Sequence, residues 1–391
     1  MTRHHACHLL DMLAEVPDPR KPKGKRHPLT AILGLMVIGL MCDQKSYTAI
    51  AMWARQQPKI AKALGFRRKP PCPATFHNLF KRLDVVKLEQ ILTQWVTQTL
   101  QRIPIPFETR LTAVAIDGKS LRGAATPKTP QTHLLAAVFH DLAIPMAQCA
   151  VNEKTNEVPI STELLKAFNV SKKVITTDAL LTQRAFCQDV LDRQADYLLP
   201  VKANQKTLFE NIQDLFQPFS NETHPEATTP EFAVMHTEAE AYLQTHQDVE
   251  TAHGYTTTRT LTASTLLNNY TDWPGLRQVY QYHSQRQHLT TGKHTYQTQY
   301  GITSLMPEQA SPEDLLNCRR RHCTIENKLH WIRDVVFRQD ASRVRTAGIP
   351  HVMAALRNTA LAVLRFTGHT KITQELRTFA ANPILAVKLI K

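Results

Sequence analysis

The sequence predicts an α/β protein: a layered domain with a mixed sheet, interrupted by a β-strand insertion and preceded by an all-helical N-terminal region. Three observations predict it. Residues 1 to about 100 carry their apolar side chains at helical spacing. From Leu111 to Phe216, short apolar runs rich in β-branched residues take turns with helical stretches. From about Phe219 to Pro312, Thr, Gln and His dominate, and apolar and polar residues alternate with the period of a strand. The expected boundaries are 1–100 for the helical domain and 101–391 for the α/β domain, with the insertion at about 219–312.

The turn Pro17-Asp18-Pro19-Arg20 and the basic loop Lys21 to His27 precede an apolar helix beginning near Leu29. A second helix covers Ser46 to Gln56, with Tyr47, Ile50, Ala51 and Ala54 on one side. Pro70, Pro71 and Pro73 break the chain before a helix bearing Phe76, Leu79, Phe80 and Leu83, and another helix runs from Val86 to Arg102. These short, partly basic helices fit either a helix-turn-helix DNA binder or a cap used for packing, since no recognition helix stands out. After the proline linker Ile103 to Phe107, the strand Leu111 to Ile116 stops at Asp117. Strands Leu134 to Phe139 and Ile144 to Val151 form a hairpin around His140-Asp141. A helix at Ile160 to Phe168 leads to the strand Lys173 to Thr177, which ends at Asp178. Helix Thr182 to Arg193, strand Tyr197 to Val201 and a helix opened by Lys202 to Gln205 follow. In the insertion, HGYTTTRTLTAS, QVYQYHSQRQH and HTYQTQYGITSL read as antiparallel strands, and Trp273 is expected to pack at a strand start. Helix resumes near Pro312 and ends with His351 to Phe366, and Thr370 to Lys391 is expected as one basic helix and tail.

Lys and Arg outnumber Asp and Glu by 47 to 33, a formal net charge of +14. That surplus favours a polyanion, through counterion release at phosphates. A membrane partner is not expected: the start MTRHHACHLL lacks a signal-peptide core, and the run Leu29 to Cys42 is too short to span a bilayer. The seven cysteines are scattered without C-x-x-C, which points to reduced thiols and a cytoplasmic protein. The spacing of Cys318, His322, Cys323 and His330 fits no standard zinc finger.

The stretch Arg319 to Asp340, RRRHCTIENKLHWIRDVVFRQD, reads as one amphipathic helix with Ile325, Leu329, Ile332 and Val336 as its buried stripe. His322, Glu326 and His330 recur every four residues on a neighbouring face. Arg319 to Arg321 then fall in the first turn, where cations oppose the helix dipole, and an anion docking nearby would explain them. Trp331 is expected in the core. Asp117 and Asp178 each follow an apolar strand, where ligands of open α/β sheets bind. With Glu326 they would form a site for two divalent cations, and hard oxygen donors suit Mg²⁺ or Mn²⁺. Asp178 reads equally as a helix N-cap.

The segments AIDGKSLRGA, TTDALLTQRAF with ADYLLPVKANQKTL, and IENKLHWIRDVVF resemble the DDE transposases of bacterial insertion sequences, most of all the H-repeat-associated group. The N-terminal Asp18-Pro19-Arg20 and Ala74 to Asp84 are similar to the helical domain of that group. The resemblance covers nearly the whole chain and places the family's acids on Asp117, Asp178 and Glu326. It implies an RNase H-like fold, and Mg²⁺- or Mn²⁺-dependent cleavage at transposon ends followed by 3′-OH strand transfer. It also implies double-stranded DNA as the partner, a homodimer in the DNA complex, and a nucleoid-associated place in a bacterial cytoplasm. Expected DNA contacts are Lys119, Arg122, Lys202, Asn204, Gln205, Arg320, Arg321, His322, His330 and Arg333. The two histidines would touch DNA, orient the carboxylate, or simply pack. Cys323, Arg333 and Gln339 depart from the group, which has Trp, an apolar residue and an acid at those positions. A nuclease without strand transfer and a catalytically silent DNA-binding descendant are the alternatives.

Overall fold

The computed structural model describes residues 8–103, 110–124, 132–151, 157–217, 242–268, 270–323 and 325–391. The expected proline linker and the start of the insertion lie largely outside them. In chain order the N-terminal helices are α1 (Leu9–Ala14), α2 (Leu29–Met41), α3 (Tyr47–Ala54), α4 (Pro58–Ala63), α5 (Pro73–Phe80) and α6 (Val85–Arg102). Next come β1 (Ala113–Ser120), β2 (His133–Phe139), β3 (Ile144–Val151), α7 (Glu157–Lys166), β4 (Val174–Thr176), α8 (Arg184–Asp192), β5 (Asp196–Val201) and α9 (Lys206–Phe216). Strands β6 (Leu243–Ala252), β7 (Tyr255–Ser264), β8 (Gln278–His288) and β9 (His294–Thr303) precede α10 (Pro312–His322). The chain closes with α11 (Ile349–Phe366), α12 (Ile372–Ala381) and α13 (Pro383–Ile390). Short helices α1 and α4 are additions to the sequence reading, and the tail is two helices rather than one.

The chain forms two compact units. One holds residues 1–106, 117–169 and 324–391; the other holds 107–116 and 170–323. In the first, every residue of α2 except Thr30 is buried. A helix apolar all round must be enclosed, and α1, α3, α11, α12 and α13 enclose it. Helix α11 is buried except at Arg365 and packs on α2, α6 and β3. Strands β2 and β3 pair as the expected hairpin, with a register shift at Ala137/Val138. The second half of β1 lies beside β2, and the Leu121 N–H donates to the Thr132 carbonyl at 2.9 Å.

The turn expected at Pro17 to Arg20 is a clamp. Arg20 donates from Nε and Nη2 to both carboxylate oxygens of Asp18, at 2.9 and 2.8 Å, and from Nη2 to the His27 carbonyl at 2.8 Å. That bonding holds the Asp18 carboxyl below its ordinary value of 3.8. A depressed carboxylate stabilises the fold above its unfolded pKa, and the contribution disappears as pH falls through the folded value. Asp18→Asn is therefore expected to unfold at lower denaturant than wild type at pH 7, with the gap closing below pH 3.8. Urea titrations at several pH values check it; a gap that persists in acid would contradict the clamp.

The second unit is a mixed sheet. The first half of β1 pairs parallel with β4, and β4 pairs parallel with β5, aligning Ala115, Thr176 and Leu198. Strand β9 joins β5 antiparallel, and β8, β7 and β6 continue outward as an antiparallel meander. Leu198, Leu261, Tyr280, Tyr282, Leu315 and Leu316 belong to the core that α10 closes over these strands. Trp273 is buried as expected and donates its indole N–H to Cys187 Sγ at 3.4 Å.

Two local expectations change. Strand β1 does not stop at Asp117 but continues to Ser120, because polar, half-buried residues extend the ladder beyond the apolar run. The stretch 319–340 is not one helix beginning at Arg319. Ser311 and Asp314 form a capping box that starts α10 at Pro312, so Arg319, Arg320 and Arg321 occupy its last turn. There the cations complement the dipole, which removes the electrostatic argument for a docked anion.

Candidate metal centre

Residues 325–337 continue helically but with wider windings: Glu326–His330 and Ile332–Val336 are π-helical. The Trp331 N–H donates to the Glu326 carbonyl, five residues back, and Phe337 repeats this to Ile332 at 2.8 Å. Such windings are uncommon and concentrate at functional sites. Ile325, Leu329, Ile332 and Val336 are buried, as the stripe predicts. The same periodicity turns Glu326 and His330 to one side.

In strand β1 successive side chains alternate, so Asp117 and Lys119 share one face and Gly118 and Ser120 the other. Asp117 Oδ1 accepts the Gly118 N–H at 2.8 Å, and Oδ2 lies 3.1 Å from His330 Nε2. One ligand atom each from Asp117, Glu326 and His330 lies within 4.8 Å of the others. Among the described residues this is the one group of three or more such side chains arranged to hold a metal ion. Glu326 is exposed, Asp117 partly so, and His330 only 3% exposed. Two carboxylates and an imidazole on a strand and a helix are donors that suit a divalent cation with room left for water. On the opposite face of β1, Ser120 Oγ lies 2.9 Å from His133 Nδ1, and His133 Nε2 lies 2.6 Å from Glu157 Oε1. A Cβ at residue 118 would stand 2.4 Å from that Glu157 oxygen, so a larger residue beside Asp117 would push the Glu157 and His133 side chains aside.

His330 was expected as a DNA contact, a carboxylate-orienting group or a packed residue. It is buried and bonded to Asp117, and its Nδ1 has no hydrogen-bond partner among the described residues. A place among the metal-binding side chains was not expected of it; the four-residue spacing from Glu326 is the signal in the sequence that points there. Other expected contacts are placed differently. Lys119 is ion-paired with Asp334. Arg122 is exposed in a short 3₁₀ turn. Arg333, expected at a phosphate, is 0% exposed and cannot meet DNA in this conformation. Its Nε donates to Gln339 Oε1 at 3.2 Å while Nη1 and Nη2 have no partner among the described residues, and burial pushes its pKa down to about 10. The family departures at Arg333 and Gln339 are thus one contact. Trp331, expected in the core, is 51% exposed and walls a cavity of about 860 Å³ with Lys328, Arg365, Lys371 and Arg377.

The second unit holds Asp178. It caps the 3₁₀ turn Ala179–Leu181, accepting the Leu180 N–H at 3.1 Å, so the capping reading is correct as far as local structure goes. The carboxylate is exposed at a cavity of about 200 Å³ shared with Thr176, Lys202, Gln299, Arg319 and His322. His322 Nδ1 lies 2.9 Å from Thr176 Oγ1. Arg319 stacks 3.5 Å over the Tyr282 ring and donates to Gln299. Asn204 donates to the Ala179 carbonyl at 2.8 Å and Gln205 to Gln183 at 3.0 Å, so both brace the turn behind Asp178. Arg320 is matched by Asp248 and Glu250, at 2.7 and 2.8 Å. Arg321 is half-buried.

Among the described residues no helix is long and apolar enough to cross a membrane. The family model described as "Transposase DDE domain" matches residues 108–363, and that described as "DDE_Tnp_1-associated" matches residues 10–96. "Putative transposase YncI" of Escherichia coli O157:H7 is 26% identical over 91% of this chain and 87% of its own length. "H repeat-associated putative transposase YhhI" of Escherichia coli K12 is 24% identical over 91% of this chain and 90% of its own. A cryo-EM structure of the piggyBac transposase synaptic complex with hairpin DNA aligns with a TM-score of 0.44 and 11% identity, over 92% of this chain and 71% of that one.

Proposed function

Because this chain belongs to the DDE-domain transposases, we propose that it cuts double-stranded DNA at the ends of its own insertion sequence and joins the freed 3′-hydroxyl to target DNA. The fold is the one the resemblance implies: RNase H-like α/β with a strand insertion, after a helical N-terminal region. On this reading residues 1–100 are the transposase-associated domain and 101–391 the catalytic domain, with the insertion at about 219–312.

The observation that carries the reading is the convergence of Asp117, Glu326 and His330 within 4.8 Å. In our assignment Asp117 and Glu326 bind Mg²⁺ or Mn²⁺, and Asp178 supplies the third carboxylate. Bound cations supply a water of lowered pKa and charge neutralisation at the scissile phosphate. The protein does the positioning. His330 fixes the rotamer of Asp117 through the 3.1 Å contact, or serves as a further donor from the same place. Gly118 lets β1 approach the His133–Glu157 pair while its N–H holds Asp117 Oδ1. Lys202 and Arg319 line the cavity beside Asp178, and in our assignment they meet DNA phosphates. A homodimer on paired ends, working at the nucleoid in the cytoplasm, completes the proposal.

The test is incubation of purified protein with DNA carrying the flanks of its own gene, in Mg²⁺ or Mn²⁺. Cleavage at both ends and covalently joined product are expected, and both should disappear in EDTA while DNA binding remains. Cleavage in EDTA would overturn the metal assignment, and cleavage without joined product would reduce the activity to that of a nuclease.

A further inference from the structure

We propose that Lys119 and Asp334 are a positioning pair that sets the register of Asp117 against Glu326 and His330, an inference that rests on the metal-dependent reading above. Lys119 Nζ contacts Asp334 Oδ2, and both side chains are largely buried. Lys119 stands two residues beyond Asp117, on the same face of β1. Asp334 stands four residues beyond His330 and eight beyond Glu326, on the same side of the helical stretch. The strand and the helix are therefore tied at two successive rungs, Asp117 to His330 and Lys119 to Asp334.

The spacing suits two rungs: Asp117 and Lys119 are about 6.6 Å apart along the strand, and His330 and Asp334 stand about one turn apart on the helical stretch. A single rung fixes one point of contact between strand and helix, whereas a second one, a charge pair shielded from water, fixes the register of the helix along the strand. Ligand atoms need placement within about 0.5 Å for a site to be preorganised. The pair also accounts for Lys119 itself. Its charge is already met inside the protein, so it is a support of the site rather than a hand held out to DNA. Asp334 additionally faces the buried Arg333, whose charge it favours. Its removal therefore needs to be compared with removal of Lys119.

The experiment titrates Mn²⁺ into the full chain without DNA, read by the free-ion paramagnetic resonance signal, and measures end cleavage in parallel. Asp334→Asn and Lys119→Met are each expected to weaken Mn²⁺ binding about 10- to 100-fold and to shift the Mn²⁺ needed for half-maximal cleavage by the same factor. The double variant should be no worse than either single one, the signature of two residues acting as a unit. Exchanging the charges, Lys119→Asp with Asp334→Lys, should recover part of the loss. That exchange decides the matter if Asp334→Asn does not fold because of Arg333. Wild-type Mn²⁺ binding in Asp334→Asn, or losses that multiply in the double variant, would overturn the pair. So would a Lys119→Met defect confined to DNA affinity, which marks a phosphate ligand. Wild-type protein that binds no Mn²⁺ and cuts nothing would instead overturn the proposed function.

Discussion

Asp117→Asn is expected to lower end cleavage by about 10³-fold or more while DNA affinity stays near wild type. Metal ligation supplies several kcal/mol of transition-state stabilisation, and about 1.4 kcal/mol is a factor of ten. Asn keeps the size of the side chain and one acceptor for the Gly118 N–H. What it removes is the negative charge at the point where β1 meets Glu326 and His330. DNA affinity is carried by the chain's cationic surplus, 47 basic against 33 acidic residues, and one fewer acid changes that little. Gel-shift and cleavage assays on one preparation give both numbers. Cleavage within tenfold of wild type would remove Asp117 from the site.

Asp178→Asn separates two roles that the sequence could not. Asn is as good an N-cap as Asp, so the cap on the Ala179–Leu181 turn survives and stability should change by no more than about 0.5 kcal/mol. If Asp178 is only a cap, the variant should cut DNA normally. If it is the third carboxylate, cleavage should fall about 10³-fold, as for Asp117. Asp178→Ala would lose both functions and is therefore the less informative change. Thermal unfolding beside single-turnover cleavage tells the two apart.

The parts of the convergent group legible in the sequence are those with a local signature: Asp117 follows an apolar run, and Glu326 stands on the margin of the stripe Ile325, Leu329, Ile332 and Val336, all of which are buried. Asp178 follows an apolar run in the same way, and its place in the site is part of the proposal. The parts that were not legible depend on distant partners or on signals just outside the stretch being read. The stretch from Arg319 on its own puts arginines 319 to 321 in a first turn, whereas the capping box at Ser311 and Asp314, a few residues upstream, places them in the last. Asp117 was set at a strand terminus because hydrophobicity stopped there, whereas the hydrogen-bond ladder continues through half-exposed polar residues to Ser120. Lys119 looked like a free cation because its partner, Asp334, lies 215 positions away. Arg333 looked the same, and its burial follows from how the helix packs rather than from its neighbours in sequence. Trp331 differs for the opposite reason: a large aromatic beside two stripe residues suggests core, but it stands off the stripe and is 51% exposed.

The central claim is that three acids, widely separated along the chain, serve one metal site. Substituting Fe²⁺ for the catalytic ion and adding ascorbate and peroxide tests it without any DNA, because the hydroxyl radicals formed cut the backbone nearest the ion. The account predicts three cuts, near residues 117, 178 and 326, all suppressed by excess Mg²⁺. Cuts near 117 and 326 with residue 178 untouched would contradict it.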